Sequence, residues 1–442
     1  MAIVNTQRSP DRPAPISETS VVGWLQRNLF SSVFNTLLTI FMLFIIYLAV
    51  KGILVWGLFD ATFIAENRRE CYDKSLTGAC WAGVIDWLDN IFYGRYPRDQ
   101  IWRINAGGLL LVLWMLPMWL PRVRGKVLVG ATVVVFYPFL AGYMFSGGEM
   151  GMLTQIMASG AIVSFALIMA NMLVGLCKDM GLNSFVLEVF GKSKAADKTQ
   201  RNLLLALVAA LFVPAYLWLS TWALEVISWT KWGGLFLTLV ISGIGIASSL
   251  PGGILLALGR RSELPVVRVL STGFIEVFRS VPLITVLFMA TTMFPLFMPE
   301  GFVLNKLTQV IIAVILFNAC YMAEIVRAGL QAIPKGQFEG AHTIGLGYWG
   351  TMGLIIMPQA LKHMIPNIVG NLIGLLKDTT LVSIIGLFDL LGMLRSISKD
   401  VPWLGLHKEP LIFGAVLFFI ICFSMSKYSR HLEVKLSAGE KH

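Results

Sequence analysis

The chain has 442 residues, 56% of them hydrophobic and 14% charged, with a mean hydropathy of +0.74. Soluble domains carry about 25% charged residues, so this composition excludes an ordinary water-soluble domain. The net charge of +10 is not a nucleic-acid footprint here, because the cytoplasmic loops of membrane proteins collect Lys and Arg. No nucleic-acid partner is expected.

Residues 1–32 are polar and Pro-containing, with no apolar signal-peptide core, and are expected to be a cytoplasmic N-terminal tail without a cleavable signal. Ten apolar runs then approach the roughly 20 residues that cross a bilayer as helix. They lie at about 33–57, 104–120, 127–145, 153–176, 203–225, 235–258, 283–299, 309–329, 365–385 and 411–426. Sustained apolar–polar alternation is absent, which argues against a β-barrel. The expectation is an all-α membrane protein of about ten transmembrane helices. Lys and Arg concentrate at 121–126, 177–202, 259–282, 330–364 and in the two tails, which predicts that both termini lie in the cytoplasm.

The spans fall into two textures. Residues 33–225 form an N-terminal five-span extension poor in intramembrane charge, with a long outer loop at 59–103. Residues 235–430 hold five spans rich in Gly, Pro and polar groups, and 431–442 form a cytoplasmic tail. The charged stretch 177–202 reads as a linker. In the outer loop, Trp81, Trp87, Tyr93 and Tyr96 suit interfacial anchoring. Cys71 and Cys80 share that loop, where an oxidising exterior permits a disulfide. A bridge and two free thiols are both open. Cys177, Cys320 and Cys422 read as small apolar packing residues.

Gly191-Lys192-Ser193 imitates the end of a phosphate-binding loop, but Val186 stands where the loop requires Gly. The chain therefore shows no nucleotide site. The histidines form no ligand cluster and no HExxH signature is present, so neither a metal nor catalytic residues are expected.

Ionisable groups inside spans are costly and normally pair or line a cavity. The run at 309–329 holds Asn318, Tyr321 and Glu324, with Arg327 three residues on. Glu324 and Arg327 suit a structural i,i+3 pair. In the run at 365–385, Asn367, Asn371, Gly374 and Asp378 share one helical face. Gly370 and Gly374 add a small-xxx-small pattern that admits a neighbouring helix. This face suits a helix–helix contact, a translocation path, or both. Lys377, Asp378, Thr379 and Thr380 offer a cation, an anion and two hydroxyls to a zwitterion. Arg279 suits bidentate carboxylate binding, and equally an ion pair with Glu276 or snorkelling to lipid headgroups. The path candidates are Asn318, Asn367, Asn371, Asp378, Lys377, Thr379 and Arg279.

Between these two runs lies Gly336–Pro358, GQFEGAHTIGLGYWGTMGLIIMP, in the loop 330–364. Pro334 suits the start of a helix of about two turns. Gly345 and Gly347 break that helix, and a second piece runs from Tyr348 to Pro358. Glu339 is expected near the first helix's N-terminal end, where a carboxylate offsets the orphan N–H groups. Ala341 and Gly345 are expected to share a face that admits a partner surface.

The Glu339-Gly340-Ala341 tripeptide with Gly345 and Pro358 resembles the EAA motif of ABC importer permeases. The segments 317–347 (FNACYMAEIVRAGLQAIPKGQFEGAHTIGLG), 278–288 (FRSVPLITVLF) and 375–386 (LLKDTTLVSIIG) resemble the polar amino acid permeases of that superfamily. The ten-span layout and GLFDLLG at 386–392 resemble the larger permeases of general L-amino acid systems, which include importers of glutamate, glutamine, aspartate and asparagine. Gly340 departs from the Ala usual in the family and loosens the helix by about 1 kcal/mol.

The resemblance implies a type I importer core at 235–430 whose loop 330–364 docks on an ATPase. It implies a permease subunit that moves L-amino acids inward by ATP-driven alternating access. It also implies a bacterial cytoplasmic (inner) membrane location and three partners: an ABC ATPase dimer, a second homologous permease, and a periplasmic or extracellular amino acid-binding protein. Membrane lipid surrounds the bundle. No cofactor is expected in this subunit, since ATP and Mg would be held by the ATPase. The alternative is an ion-coupled secondary amino acid transporter, against which stands the absence of an internal repeat.

Overall fold

The computed structural model describes residues 20–120, 126–177, 198–301 and 304–437. Most of the expected linker, the Gly191-Lys192-Ser193 segment and the two extreme tails lie outside the described residues. Among the described residues the chain is helical, with isolated β-bridges and no strand. It forms two compact units, 1–85 with 401–409, and 86–400 with 410–442.

The first unit opens with helix α1 (Val21–Asn28), whose N-terminus is capped by the Ser20 hydroxyl accepting from Gly23 N–H. Helix α2 (Val33–Leu54) is capped in the same way by Ser32 and ends in a π turn, Val55–Phe59. Its apolar side chains are exposed on every side, as expected of a helix whose solvent is lipid. Beyond it, helix α3 (Arg68–Lys74) is capped by Asn67 and joined to the following loop by a Cys71–Cys80 disulfide. Segment 401–409 is held to this loop: Arg68 N–H donates to Pro402 O at 2.9 Å. Helix α4 (Ala82–Asp86) closes the unit against Trp403 and Leu406, which leave no room for a Cβ on Gly83.

The second unit continues with α5 (Leu88–Tyr93), then four long helices: α6 (Ile101–Trp119), α7 (Lys126–Ser146), α8 (Met152–Cys177) and α9 (Lys198–Ser220). Each of the first three packs on the next around Trp114, Tyr137 and Phe165, and α9 packs on α8. Helix α10 (Gly234–Arg260) follows, then α11 (Pro265–Ser280) and α12 (Leu283–Phe288), which leads through a π turn to Phe297. The chain bends by 105° between α11 and the 283–297 segment. Pro282 stands at that bend and restricts Val281 to extended backbone. Helices α13 (Lys306–Ala332), α14 (Lys335–Thr343), α15 (Met357–Asp378), α16 (Leu390–Ile397) and α17 (Lys408–Ser437) complete the order.

Small residues set the packing distances. A Cβ on Gly253 of α10 would fall 2.7 Å from the Met322 side chain of α13, and one on Gly329 of α13 would fall 2.7 Å from the Ala360 carbonyl of α15. Two backbones also meet where Gly94 follows α5 and Gly233-Gly234 opens α10. Gly94 and Gly234 have φ of +67° and +62°, and a Cβ on Gly234 would lie 2.2 Å from Ile91 O. Only glycine satisfies both demands.

All ten expected apolar runs fall on helical segments. Among the described residues, seven helices are individually long and apolar enough to cross a membrane, or eight if the bent pair counts as one span. The other two expected spans correspond to α9 and to α15, whose polar face dilutes its apolarity.

Candidate coupling loop and transport path

The loop expected between two spans is built on α14. Pro334 precedes the helix as its cap residue, with φ −59° already near the helical value, and the helix runs Lys335–Thr343. Glu339 is therefore its fifth residue and lies past the first turn, so the expected N-terminal charge effect does not operate. The side chain is exposed, and Thr343 Oγ1 donates to the Glu339 carbonyl at 2.9 Å. Ala341 is buried at 1% exposure, whereas Gly340 is exposed with open space around it. Gly345 has φ +77° and lies beyond the helix, so Ala341 and Gly345 do not share a helical face. The left-handed residue stops α14 in the manner of a C-terminal glycine.

The second piece does not end at Pro358. A turn of α-helix at Tyr348–Gly350 becomes a π segment at Thr351–Ile356 and runs directly into α15. Pro358 is the second residue of α15 and follows directly on the π segment. Ile344, Trp349 and Leu354 of this connection are 70–73% exposed. Phe338 packs against the apolar cluster that holds Met352 and Ile356, and two further contacts fasten α14 to the bundle. Gln359 Nε2 donates to Gln337 Oε1 at 3.1 Å, and the Arg261 guanidinium lies 6.0 Å from the Phe338 ring centre.

The expected Glu324–Arg327 pair is present at 2.7 Å and belongs to a larger network. Arg260 Nη1 reaches Glu324 at 2.6 Å, while its Nη2 reaches Glu276 at 2.9 Å. Arg279 lies 3.5 Å from Glu324 and stacks 5.6 Å from the Tyr321 ring centre. One carboxylate thus anchors guanidiniums from α10, α11 and α13. Sequence reasoning missed Arg260, because 64 residues separate it from Glu324 and no local spacing signals the contact; Glu276, one of the partners expected for Arg279, pairs with Arg260.

On α15, Asn367 and Gly370 are exposed, Asn371, Gly374 and Asp378 are half-buried, and Lys377 is exposed, while Leu375 and Leu376 point into the core. Gly370 and Gly374 have open space where a side chain would be. The polar face is therefore free in the single chain. Asn371 Oδ1 and the Nδ2 of Asn318, a residue only 4% exposed, have no hydrogen-bond partner among the described residues. Thr379 is brought away from this face: it is buried, and its hydroxyl donates to the Leu376 carbonyl at 2.7 Å.

Residues 249–437 match the family described as binding-protein-dependent transport system inner membrane component. Over 433 residues, 97% of each chain, the protein is 39% identical to the inner membrane amino-acid ABC transporter permease protein YhdY of Escherichia coli K12. The chain belongs to the amino-acid ABC transporter permeases. It is also 38% identical, over all of its length and 99% of the relative's, to the glutamate/glutamine/aspartate/asparagine transport system permease protein BztC of Rhodobacter capsulatus. A probable glutamine ABC transporter permease protein, GlnP of Bacillus subtilis, is 35% identical over 46% of this chain and 92% of its own. As an ABC permease the chain is a multi-pass inner-membrane transport subunit and not an enzyme. It works with a separate ATPase and a binding protein.

Proposed function

We propose that this permease pairs with a second, homologous permease and imports polar or acidic L-amino acids. The observation that carries the reading is the exposed α14 lever, fixed to the bundle at Phe338 and Gln337 and presenting Glu339, Ile344 and Trp349. An ATPase dimer that holds ATP and Mg would seat on this surface, with Gly340, Ala341, Gly345 and Pro358 shaping it. Closure of that dimer would draw two levers together and rock the helices attached to them.

The open polar face of α15, with Asn367, Asn371, Lys377 and Asp378, would meet the second permease and line the path, and Asn318 would serve the same path from α13. Arg279 would meet the substrate carboxylate. Thr379 would close the end of α15. The Gly370 and Gly374 shoulders support this reading, since small residues let two helices approach. Both termini lie in the cytoplasm in this reading, and the binding protein delivers substrate to the opposite face. The domain division that follows is an extension at 33–225 and an importer core at 235–430. Identity with a glutamate/glutamine/aspartate/asparagine permease supports the substrate class.

The test is a mild-detergent pull-down of the chain from its native membrane, with partners identified by mass spectrometry. Recovery of an ATPase together with a second permease is the expected result. Recovery of two copies of this chain with the ATPase, and no second permease, would overturn the heteromeric pairing. Recovery of the chain with an ATPase but with no second permease, under conditions that preserve other complexes, would remove the proposed pairing.

A further inference from the structure

The first compact unit contains a feature that transport through the bundle does not use. An open-sided cavity of about 290 Å³ lies over the Cys71–Cys80 disulfide. Trp56, Arg68, Tyr72, His407, Lys408 and Glu409 line it. The disulfide and the Arg68 contacts build the walls. The Arg68 guanidinium donates to Leu404 O and to Tyr72 Oη at 3.0 Å, and stacks 5.2 Å from the Tyr72 ring centre.

The charges in these walls are unusual. Glu409 is 8% exposed and accepts the Cys80 N–H at 3.2 Å. Among the described residues it has no ion-pair partner, and the side chains of His407 and Lys408 have no hydrogen-bond partner. A buried carboxylate without a cation is costly. Here a carboxylate and an ammonium line the same cavity, neighbours in sequence and unpaired.

We propose that this cavity binds one free L-amino acid by its two main-chain charges. The α-ammonium meets Glu409, and the α-carboxylate meets Lys408 with the charge of Arg68 behind it. The Trp56 and Tyr72 rings border the side chain. Size supports a single amino acid: small-molecule sites span about 300–1,000 Å³, so this cavity of about 290 Å³ lies just under that range and has no room for a peptide. Two permanent cations against one carboxylate leave an excess positive charge, which favours acidic amino acids. The inference rests on the reading that loop 59–103 and segment 386–410 face the side to which substrate is delivered. It adds a peripheral site, separate from the α15 face.

The experiment uses the assembled transporter in lipid nanodiscs without ATP, titrated calorimetrically with L-glutamate. A saturable component should weaken at least tenfold in both Glu409→Gln and Lys408→Gln. It should vanish with N-acetyl-L-glutamate, which lacks the ammonium, and persist in excess sulfate. Mass spectrometry of the intact Cys71–Cys80 bridge shows that the variants keep the unit folded. Titrations identical to the parent protein in both variants would overturn the proposal, and so would full displacement by sulfate, which marks an anion site only. ATP-driven uptake is measured separately in proteoliposomes. A Glu409-dependent component in a preparation that fails to import sustains the cavity and counts against the importer reading; normal import without that component does the reverse.

Discussion

Arg260 Nη1 lies 2.6 Å from Glu324 Oε1, joining the last turn of α10 to the middle of α13 across 64 residues of sequence. Glu324 is the shared anion of three guanidiniums and is only 14% exposed. Removing its charge leaves Arg260, Arg279 and Arg327 facing one another. Breaking a buried pair costs about 3–5 kcal/mol, and the 24–35% exposure of the arginines reduces that through solvent screening. Glu324→Gln is expected to destabilise the folded subunit by about 2 kcal/mol, read as a lower unfolding temperature in nanodiscs. An unchanged transition would show that the network contributes nothing to stability.

Glu339 is exposed on the α14 lever and makes no side-chain contact in the single chain. Its charge is therefore available to a partner. Glu339→Lys is expected to weaken ATPase association by about 2 kcal/mol or more while membrane insertion continues. Co-purification and uptake are the measurements; retention of both would remove Glu339 from the docking surface.

Asp378 ends α15 on its open polar face, half-buried beside exposed Lys377. Asp378→Asn is expected to lower uptake about tenfold, equivalent to ~1.4 kcal/mol, with assembly intact. Uptake at the parent rate in a fully assembled complex would exclude Asp378 from the path.

The Cys71–Cys80 bridge closes a sequence separation of nine residues. Chain-entropy bookkeeping assigns a loop of that size about 2.5 kcal/mol. Cys71→Ser is expected to release segment 59–85 to hydrogen exchange and protease while the long helices stay protected. Equal protection with and without the bridge would contradict this.

Asp389 caps α16, accepting from Gly392 N–H at 3.0 Å and Leu391 N–H at 3.2 Å, and is fully buried. Burial pushes its carboxyl up from 3.8 to about 7, against those hydrogen bonds. The folded state therefore holds a proton that the unfolded chain releases between these values. The Asp389 contribution to stability is fully present below about pH 4, is lost as pH rises to about 7 and then levels. Asp389→Asn keeps a good cap and is expected to abolish this slope, raising the unfolding temperature at pH 8. A slope that survives in Asp389→Asn belongs to other groups.

The class of this protein, its apolar runs and the short helix stopped by Gly345 were legible in the sequence because each rests on local quantities. Span length against bilayer thickness, the spacing of Asn367, Asn371, Gly374 and Asp378, and the Glu339 motif need only neighbours along the chain. Cys71 and Cys80 were a legible pair because only nine positions separate them. Tertiary structure decided the rest. It drew Arg260 to both Glu276 and Glu324, turned Thr379 into the core, and ran the piece that starts at Tyr348 through a π segment directly into α15. It also set Glu409 over the Cys71–Cys80 bridge, 329 residues from its Cys80 partner. The physical reason is that periodicity records which face of a helix is apolar or polar, whereas the partner of a charge depends on which helix ends meet. That is set by packing distances, such as those at Gly253, Gly329 and Gly234, between segments far apart in the chain.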